Sequence, residues 1–352
     1  MKATELLTKL PYPVYFVCKE TQRCHEIIFS EMPSPVENFY NQFVNARDNW
    51  SVQTYVNLKR QGLNVHIVPK YIPGKICVTT YEDLSIKDFS FNSYIVACRH
   101  DRGRPEIAEQ CIVQNQLNII DHTNHFLPHW SQPALKPRDF SRGSKVENMV
   151  YKGLAINLAK SFQSSEFTNQ LQSLGCRLSV SPADRKSQIG YFQDYTDADI
   201  VLAVRNSTHY NLCIKPPSKL INAWFAGCPA ILGPEPTYQQ LCKSELDYIE
   251  VRSSEEVIAN IKRLQDTPSL DMAMVENGLR RATEFTPERI AQLWYNLLSG
   301  PVAEGYERWL QQSLLHKIIG RPVQFTWRAF KHKRERQSFF HNIHHGARLF
   351  SE

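Results

Sequence analysis

The sequence has no pair of cysteines spaced as CxxC, and nowhere do about 18 apolar residues follow one another. Its nine cysteines are scattered and odd in number, and several lie inside apolar runs such as "KICVTT" and "YIVACR". This pattern favours reduced thiols in a cytoplasmic setting over a disulfide framework or a zinc site, so we expect no structural metal. The N-terminus has no long apolar core of a signal peptide. We therefore expect a cytoplasmic protein, either soluble or peripherally attached to a membrane.

Tandem repeats and low-complexity tracts are also absent, and 42% of the 352 residues are hydrophobic. A chain of this length and composition can bury a sizeable core but is long for one compact unit, so two domains are expected. The net charge of +6 is modest, but basic and aromatic residues are concentrated in residues 321–350, "RPVQFTWRAFKHKRERQSFFHNIHHGARLF". A polyanionic surface or ligand is the partner that such a segment would suit. No nucleic-acid partner is expected.

Short β-type runs alternate with helical patterns along the chain, which predicts an α/β fold with doubly wound parallel sheets. In the first half, either "PYPVYFVCK" (11–19) or "CHEIIFSE" (24–31) forms the first strand. A helix is expected from Asp48, Asn49 or Ser51 as N-cap to Gly62 as terminator. Further buried strands are predicted in four apolar runs, "NVHIVPK", "KICVTTYEDL", "SYIVACRHD" and "CIVQNQ".

A change in composition separates the two halves of the chain. Residues 126–148 are rich in Pro, Arg, Asn and Ser and have no sustained apolar period, which is typical of an interdomain linker. The linker would join an N-terminal Rossmann-like domain (1–125) to a second one (149–300), with C-terminal helices and a basic tail in 301–352. Two α/β halves joined in this way form a cleft.

The stretch "KPPSKLINAWFAGCPAILG" (215–233) places cations and a turn before a short helix. Ser218 is a good N-cap, and Gly227 suits the left-handed position at which a helix ends. A helix that follows a parallel strand points its free N–H groups into the crevice at the carboxyl ends of the strands, where anions bind. Lys215 and Lys219 add positive charge there, and Arg205 ends the preceding strand. This combination predicts an anion site; the alternative is that the lysines are solvated surface charges.

The same stretch, followed by "DYIEVRSSEEVIANIKRL" and "NGLRRATEFTPERIAQLW", resembles the nucleotide-binding domain of GT-B glycosyltransferases. In that family a Lys/Leu-rich helix, an Ala-Gly-x-Pro turn and a later acidic helix recur in this order. The resemblance implies a GT-B architecture, with two Rossmann-like domains facing a central cleft, and a hexosyltransferase-like activity. The donor, a nucleoside-diphosphate sugar, would place its diphosphate on Arg205, Lys215, Ser218 and Lys219. An unknown acceptor (a glycan, a lipid or a small molecule) would bind the N-terminal domain, and no cofactor is implied.

Two features of the family are missing here. Many retaining GT-B enzymes carry a pair of glutamates on the approach to this helix, and the corresponding positions are Asn222 and a position near Ile214. The usual Gly-Gly turn after the first strand is replaced by "NARDNWS". Asn222 can still hydrogen-bond a ribose or sugar hydroxyl of the donor, though less strongly than a carboxylate. The nucleotide and the subfamily therefore stay open.

A second polar stretch, "CRHDRGRPEIAE", follows the apolar run "SYIVA" and should lie at the carboxyl end of a strand. His100 resembles the histidine that GT-B enzymes often place at this strand end, near the donor sugar. Asp101 would serve as the catalytic base if the reaction inverts configuration. Arg99, Arg102 and Arg104 are suited to phosphate. The alternative is a solvated loop in which Asp101 bridges the neighbouring arginines.

The C-terminal segment allows two interpretations. In GT-B folds the final helices commonly return to the N-terminal domain, which would pack Trp309, Leu310, Leu314 and Leu315 against it. The residues that follow mix cations with aromatic side chains, which suits shallow attachment to an anionic membrane surface. The alternative is an amphipathic helix whose aromatic side chains pack on the N-terminal domain. The residues concerned are Arg328, Lys331, Lys333, Arg334 and Arg336, with Phe325, Trp327, Phe330, Phe339 and Phe340.

Three classes of function fit these patterns. The first is a glycosyltransferase. The second is a nucleotide-sugar epimerase or isomerase, which has the same architecture and consumes its donor without an acceptor. The third is a catalytically silent nucleotide-sugar-binding protein, which the missing glutamates allow, because a fold does not by itself determine a function.

Overall fold

The computed structural model of the protein describes residues 7–20, 30–43, 45, 47–88, 92–182 and 190–350. These residues form two compact units. The first unit comprises the described residues up to Trp130 together with Pro287–Phe340, and the second comprises Ser131–Thr286 and the described residues from His341 onward. Residues 126–148, predicted as a linker, are thus divided between the two units.

The strands and helices follow one another as the alternating pattern predicts. In chain order the strands are β1 (Val14–Val17), β2 (Val65–Val68), β3 (Ile76–Thr80), β4 (Tyr94–Cys98), β5 (Gln110–Val113), β6 (Asn124–Phe126), β7 (Asn148–Tyr151), β8 (Arg177–Val180), β9 (Ile200–Ala203), β10 (Ala230–Leu232) and β11 (Ile249–Glu250). In the same order the α-helices are α1 (Thr54–Arg60), α2 (Ser165–Ser173), α3 (His209–Leu212), α4 (Ser218–Ala226), α5 (Pro236–Leu241), α6 (Ser254–Asp266), α7 (Pro268–Ala282), α8 (Pro287–Ser299), α9 (Pro301–Leu310), α10 (Arg321–Lys331) and α11 (Lys333–His345).

The first unit is built on a parallel sheet that has the order β2-β1-β3-β4-β5-β6 within the described residues. Every residue of β3, β4 and β5 is buried, as expected for strands covered on both faces. The run "PYPVYFVCK" supplies β1, and all but the last two residues of "CHEIIFSE" lie outside the described residues.

The N-cap predicted for the first helix is wrong. Residues Asp48–Gln53 form a π-helical turn that leads directly into α1, and the residue before this turn is already helical. Asp48 and Ser51 are buried instead of capping a helix end. Gly62 follows α1 with a φ of 85°, which is the left-handed conformation expected after a helix end.

Helix α8 belongs to the first unit, whereas the sequence predicts that the second domain extends to residue 300. Its apolar face is fully buried in the core of the first unit. The ring of Trp294 lies 5.9 Å from that of Phe16 in β1 and 6.4 Å from that of Trp50. Burial of this apolar face therefore fixes the helix on the first unit.

Helix α10 is held to the first sheet by a buried ion pair. The guanidinium of Arg321 is hydrogen-bonded to the Glu109 carboxylate and donates to the Ser93 carbonyl at 2.8 Å. The same guanidinium lies over the rings of Trp309 and Phe325, at 5.2 and 5.3 Å from their centroids. None of the helices in the described part of the chain has the length and apolar character that a membrane span needs.

The predicted packing of the C-terminal leucines is wrong. Trp309 is buried as expected, but Leu310, Leu314 and Leu315 are 45%, 71% and 69% exposed. Residues 316–320 form a π-helical turn before α10, and this turn carries no buried residue. The segment between α9 and α10 is therefore apolar but not covered by the first unit.

The second unit contains a parallel sheet with the order β11-β10-β9-β7-β8 among its described strands. The chain runs from β7 to β8 on one side and then to β9 on the other, so the direction of winding reverses between β7 and β9. In open α/β sheets, ligands bind outside the carboxyl ends of the strands at such a reversal. The same reversal occurs between β1 and β3 in the first unit.

Replacing Gly305 with alanine tests how closely α9 approaches the first sheet. In an exposed helix this change would stabilise by about 1 kcal/mol. Here the added Cβ would overlap the hydroxyl of Tyr94 and lie 2.6 Å from Nε2 of Gln110. We expect a loss of about 1–3 kcal/mol in the free energy of unfolding, measured by chemical denaturation. Adding Tyr94→Phe should recover part of the loss, and a Gly305→Ala variant more stable than the natural protein would contradict this packing.

Candidate functional site

The carboxyl edge of the second sheet collects charged side chains from three adjacent strands. Lys152 follows β7, Arg205 lies two residues after β9, and Glu235 lies three residues after β10. Arg205 Nη1 is 3.3 Å from Oε2 of Glu235, and Arg205 Nη2 donates to the Tyr238 hydroxyl at 3.2 Å. Because parallel strands end at the same edge, residues far apart in the sequence form one cluster there.

Helix α4 starts at this edge, but its capping differs from the prediction. Pro217 is the N-cap residue, and no side chain caps the helix, so Ser218 is instead its first residue. The end is as predicted, since Gly227 has a φ of 68° and a left-handed conformation. An added Cβ at Gly227 would also lie 2.8 Å from the ring of Phe140, which excludes larger residues at this position.

The ammonium group of Lys219 turns inward toward the cluster. Its Nζ donates to the carbonyl of Lys152 and lies 4.9 Å from the centroid of the Tyr151 ring. An added Cβ at Gly153 would lie 2.6 Å from this Nζ, so a larger residue there would require the end of the Lys219 side chain to move. Burial, together with the positive charge of Arg205, lowers the pKa of Lys219 to about 7.

Glu235 is the carboxylate that balances these cations, and the sequence patterns did not single it out. The residue is 1% exposed, and its two carboxylate oxygens accept no hydrogen bond from the described residues. Burial raises the pKa of Glu235, while the charges of Arg205, Lys219 and Lys215 act in the opposite direction. Its only sequence signal is an acidic residue placed shortly after a predicted buried strand.

The structure thus brings together most of the residues predicted to bind an anion. Arg205 and Lys219 lie around Glu235, and half-buried Lys215 is close enough for its charge to act on the same carboxylate. Ser218 begins the helix beside them. Asn222 makes a separate contact, because its Oδ1 accepts a hydrogen bond from the backbone N–H of Gln132 at 3.4 Å.

Lys152 has a structural environment of its own within this edge. Its Nζ donates to the carbonyls of Tyr191 and Asp194 and lies 3.8 Å from the centroid of the Tyr191 ring. Burial lowers the pKa of Lys152 to about 8. These contacts attach the helical residues 190–193 and Asp194 to the end of β7.

The carboxyl edge of the first sheet carries the second group of predicted residues. His100 follows β4 and is buried, with a φ of 35° that is unfavourable for a residue other than glycine. Its Nε2 lies 2.5 Å from Oε2 of Glu82, at the end of β3, while its Nδ1 is buried with no hydrogen-bond partner among the described residues. Burial opposes ionisation of Glu82, but His100 and Arg102 together lower the pKa of this carboxyl to about 2. Glu82 is therefore ionised and accepts a hydrogen bond from His100 Nε2, so the ring presents Nδ1 on its other side.

Asp101 is linked to a different chain of side chains. Gln114 Nε2 donates to Asp101 Oδ1 at 2.5 Å, and the Gln114 Oε1 lies 3.1 Å from Nε2 of His129. Since an amide oxygen can only accept, His129 Nε2 must carry the proton. Burial lowers the pKa of His129 to about 4, so this histidine is neutral near pH 7.

The three arginines near His100 have partners within the first unit. Arg99 Nε donates to the Arg102 carbonyl at 3.0 Å, and Arg102 Nε donates to Glu82 at 2.8 Å. Arg104 is paired with Asp121 at 3.3 Å. Two of these arginines thus pair with acidic residues other than Asp101, namely Glu82 and Asp121. Among the described residues, no group of three His, Cys, Asp or Glu side chains could hold a metal ion.

Comparison with known proteins gives a match in fold only. No family model and no curated protein sequence matches the chain. Among solved structures, sucrose-phosphate synthase from Thermosynechococcus elongatus has a TM-score of 0.50 at 12% identity, over 83% of this chain and 100% of its own. HepE from Anabaena has a TM-score of 0.48 at 12% identity, over 82% and 99% of the two chains. A glycosyltransferase from Rickettsia africae ESF-5 has a TM-score of 0.46 at 9% identity, over 86% and 99%.

The chain has a fold of the GT-B type. The predicted resemblance to GT-B glycosyltransferases is confirmed at this level, with two parallel α/β units that cover most of the chain. At 12% identity, the likeness to sucrose-phosphate synthase concerns the fold and does not define a reaction.

Replacing Glu235 with glutamine tests the charge balance of the cluster. The change leaves Arg205 without its buried counter-ion, so we expect a loss of about 3 kcal/mol in the free energy of unfolding. Exposed Glu245, in the same unit, provides a matched control for which Glu245→Gln should change stability by less than about 0.5 kcal/mol. Urea denaturation measures both. Equal stability of the two variants would show that Glu235 does not stabilise the cations.

Proposed function

We propose that the protein is a glycosyltransferase that moves a hexosyl group from a nucleoside-diphosphate sugar to an acceptor. The observation that carries the proposal is the cationic cluster of Arg205, Lys215 and Lys219 at the start of α4, on the carboxyl edge of a doubly wound sheet. A guanidinium binds two phosphate oxygens at once, and each ammonium adds a further charge-assisted hydrogen bond. A diphosphate offers enough oxygens for all three groups.

Glu235 has a further role in this proposal. A diphosphate that binds Arg205 and Lys219 compensates their charge, so the buried carboxylate then has unused acceptor capacity. A sugar or ribose hydroxyl is the donor that would satisfy it. Asn222 is the other predicted acceptor for such a hydroxyl, but its amide oxygen already accepts from Gln132. We therefore assign hydroxyl recognition first to Glu235.

For the first unit we propose a general base. If the transfer inverts configuration, Asp101 takes the proton of the acceptor hydroxyl as that hydroxyl displaces the nucleoside diphosphate from the anomeric carbon. For the second unit we propose that Arg205, Lys215 and Lys219 stabilise the charge on the leaving diphosphate. His100 would accept a hydrogen bond from the sugar at its unpartnered Nδ1, and the Glu82 hydrogen bond fixes the ring in that orientation.

Lys219→Ala tests the donor site directly. Loss of a charge-assisted hydrogen bond is worth about 1.5–3 kcal/mol, so binding should weaken about tenfold or more. Calorimetric titration with UDP, GDP, ADP and inorganic pyrophosphate measures this without an acceptor. Exposed Lys262 in α6 gives the matched control, Lys262→Ala, which should bind as the natural protein does. Unchanged affinity in a folded Lys219→Ala protein would refute the diphosphate site.

The pH dependence of binding provides a second readout of the same variant. The pKa of Lys219 is about 7 in the free protein, and a bound diphosphate would raise it. Binding above pH 7 should therefore take up a proton, and the affinity should fall as pH rises; below pH 7 the lysine is already charged and its contribution is constant. Titrations near pH 8 in buffers of different ionisation enthalpy count the proton, since the terminal phosphate titrates nearer pH 6. Lys219→Ala should abolish the uptake.

Asp101→Asn tests the catalytic proposal. A general base acts in the transition state, so turnover should fall about a hundredfold or more while donor binding changes little. Release of nucleoside diphosphate from the donor measures turnover, and Asp121→Asn in the same unit is the matched control. Equal losses in turnover and binding, or no loss, would make Asp101 a structural residue. Conversion of the donor to another nucleotide sugar without an acceptor would instead indicate an epimerase.

A further inference from the structure

The segment from the end of α9 through α10 exposes a row of large apolar side chains. Phe330 is 78% exposed, and six other members of the row are between 53% and 71% exposed. Soluble proteins rarely leave a contiguous apolar patch of this kind uncovered unless it binds something. We call this row the 314–330 face; it consists of Leu314, Leu315, Ile318, Ile319, Val323, Trp327 and Phe330.

The exposure of this face does not come from a poorly packed helix. The opposite side of α10 is firmly attached, with Arg321 and Phe325 each 2% exposed. Val323 and Trp327 are both two positions from Phe325, which places them about 160–200° around the helix from it. Helix α10 thus has two apolar sides, of which the first unit covers only one.

Cations surround the 314–330 face. Residues 311–340 contain seven lysines and arginines and a single acidic residue, Glu335. Three of the arginines bind groups of their own unit: Arg321 binds Glu109, Arg328 donates to the Ala108 carbonyl, and Arg336 is paired with Glu106. Lys331, Lys333 and Arg334 are exposed. The Lys331 Nζ lies 5.1 Å from the Trp327 ring centroid, so apolar and cationic groups share one surface.

A polar cavity opens beside this face. It has a volume of about 320 Å³, and Trp327, Arg328, Lys331 and Arg104 contribute to its lining. Residues 121–124 line it as well. The residues just before them in the chain expose three more apolar side chains, Leu117, Ile119 and Ile120. The cavity lining thus combines three cations, Arg104, Arg328 and Lys331, with the carboxylates of Glu109 and Asp121.

We propose that the 314–330 face docks the first unit on an anionic lipid surface. Its apolar side chains would enter the interfacial layer of one leaflet, and Lys331, Lys333 and Arg334 would contact lipid phosphates. A second copy of this chain fits the face less well, because a two-fold contact would bring the same cations against one another. The proposal concerns attachment and is independent of the transfer reaction.

Tryptophan fluorescence offers a specific test. Of the six tryptophans, Trp327 is 59% exposed and the other five are at most 6% exposed. Vesicles of phosphatidylcholine with phosphatidylserine should shift the emission to shorter wavelength, and lipids brominated in their acyl chains should quench it. Pure phosphatidylcholine vesicles should have little effect, and high salt should release the protein. Trp327→Phe should still sediment with the anionic vesicles but lose the quenching.

Matched variants distinguish binding through the 314–330 face from non-specific adsorption of the protein to vesicles. Phe330→Ser and the pair Lys331→Glu with Lys333→Glu should each weaken sedimentation with anionic vesicles about tenfold or more. Ile156→Ser and Lys262→Glu, at exposed positions of the second unit, should bind as the natural protein does. All of these side chains are exposed, so thermal unfolding should be unchanged.

Two results would overturn the proposal. One is the absence of sedimentation with anionic vesicles at low salt, or equal sedimentation of all variants. The other is a dimer in sedimentation equilibrium that Phe330→Ser converts to a monomer without any change in vesicle binding. That second result would assign the face to another copy of the chain.

Discussion

Parallel strands deliver all of their carboxyl ends to one edge of a sheet, and both candidate sites depend on this constraint. In the second unit Lys152, Arg205 and Glu235 come from segments more than 25 residues apart and meet only because β7, β9 and β10 are neighbours. In the first unit, β3, β4 and β5 bring Glu82, His100 and Gln114 together in the same way. Side chains at the carboxyl ends of neighbouring strands therefore lie close together without a long loop that brings them to the site.

Charged side chains that are brought together away from water need a partner of opposite charge or a hydrogen bond. The two units provide this in different ways. Around His100 the compensation is a short hydrogen bond, because Glu82 stays ionised and accepts from the imidazole. Around Arg205 it is a buried carboxylate whose oxygens accept no hydrogen bond within the described residues. The first arrangement fixes one ring in place. The second leaves the Glu235 oxygens able to accept hydrogen bonds from a ligand. For the proposed function, this free acceptor capacity is more important than the ion pair of Glu235 with Arg205.

Local patterns and long-range contacts differ in what they allow a sequence to predict. The α/β class, the GT-B likeness and the helix from Ser218 to Gly227 follow from spacing and turn residues, which act over a few positions. Glu235 and Glu82 did not stand out, because an isolated glutamate becomes part of a site only when neighbouring strands bring cations to it. Leu314 and Leu315 were expected to pack, since periodicity identifies an apolar side but not the surface that covers it. The N-cap at Ser218 failed for a local reason, as Pro217 already occupies that position.

If the proposed diphosphate site is correct, the pKa of Lys219 explains how the second unit stays stable without the ligand. A fully charged lysine beside Arg205 would destabilise the folded second unit, because two cations would share one buried carboxylate. Burial and Arg205 instead lower its pKa to about 7, so that the side chain can release its proton in the free protein. In the proposed function, a bound diphosphate would raise this pKa again, since its negative charge favours the protonated lysine. Part of the binding free energy is then used to protonate the lysine. Without the ligand, the neutral lysine adds no uncompensated charge to the folded protein. Lys219 could thereby contribute to the affinity for an anion without lowering the free energy of unfolding of the ligand-free protein.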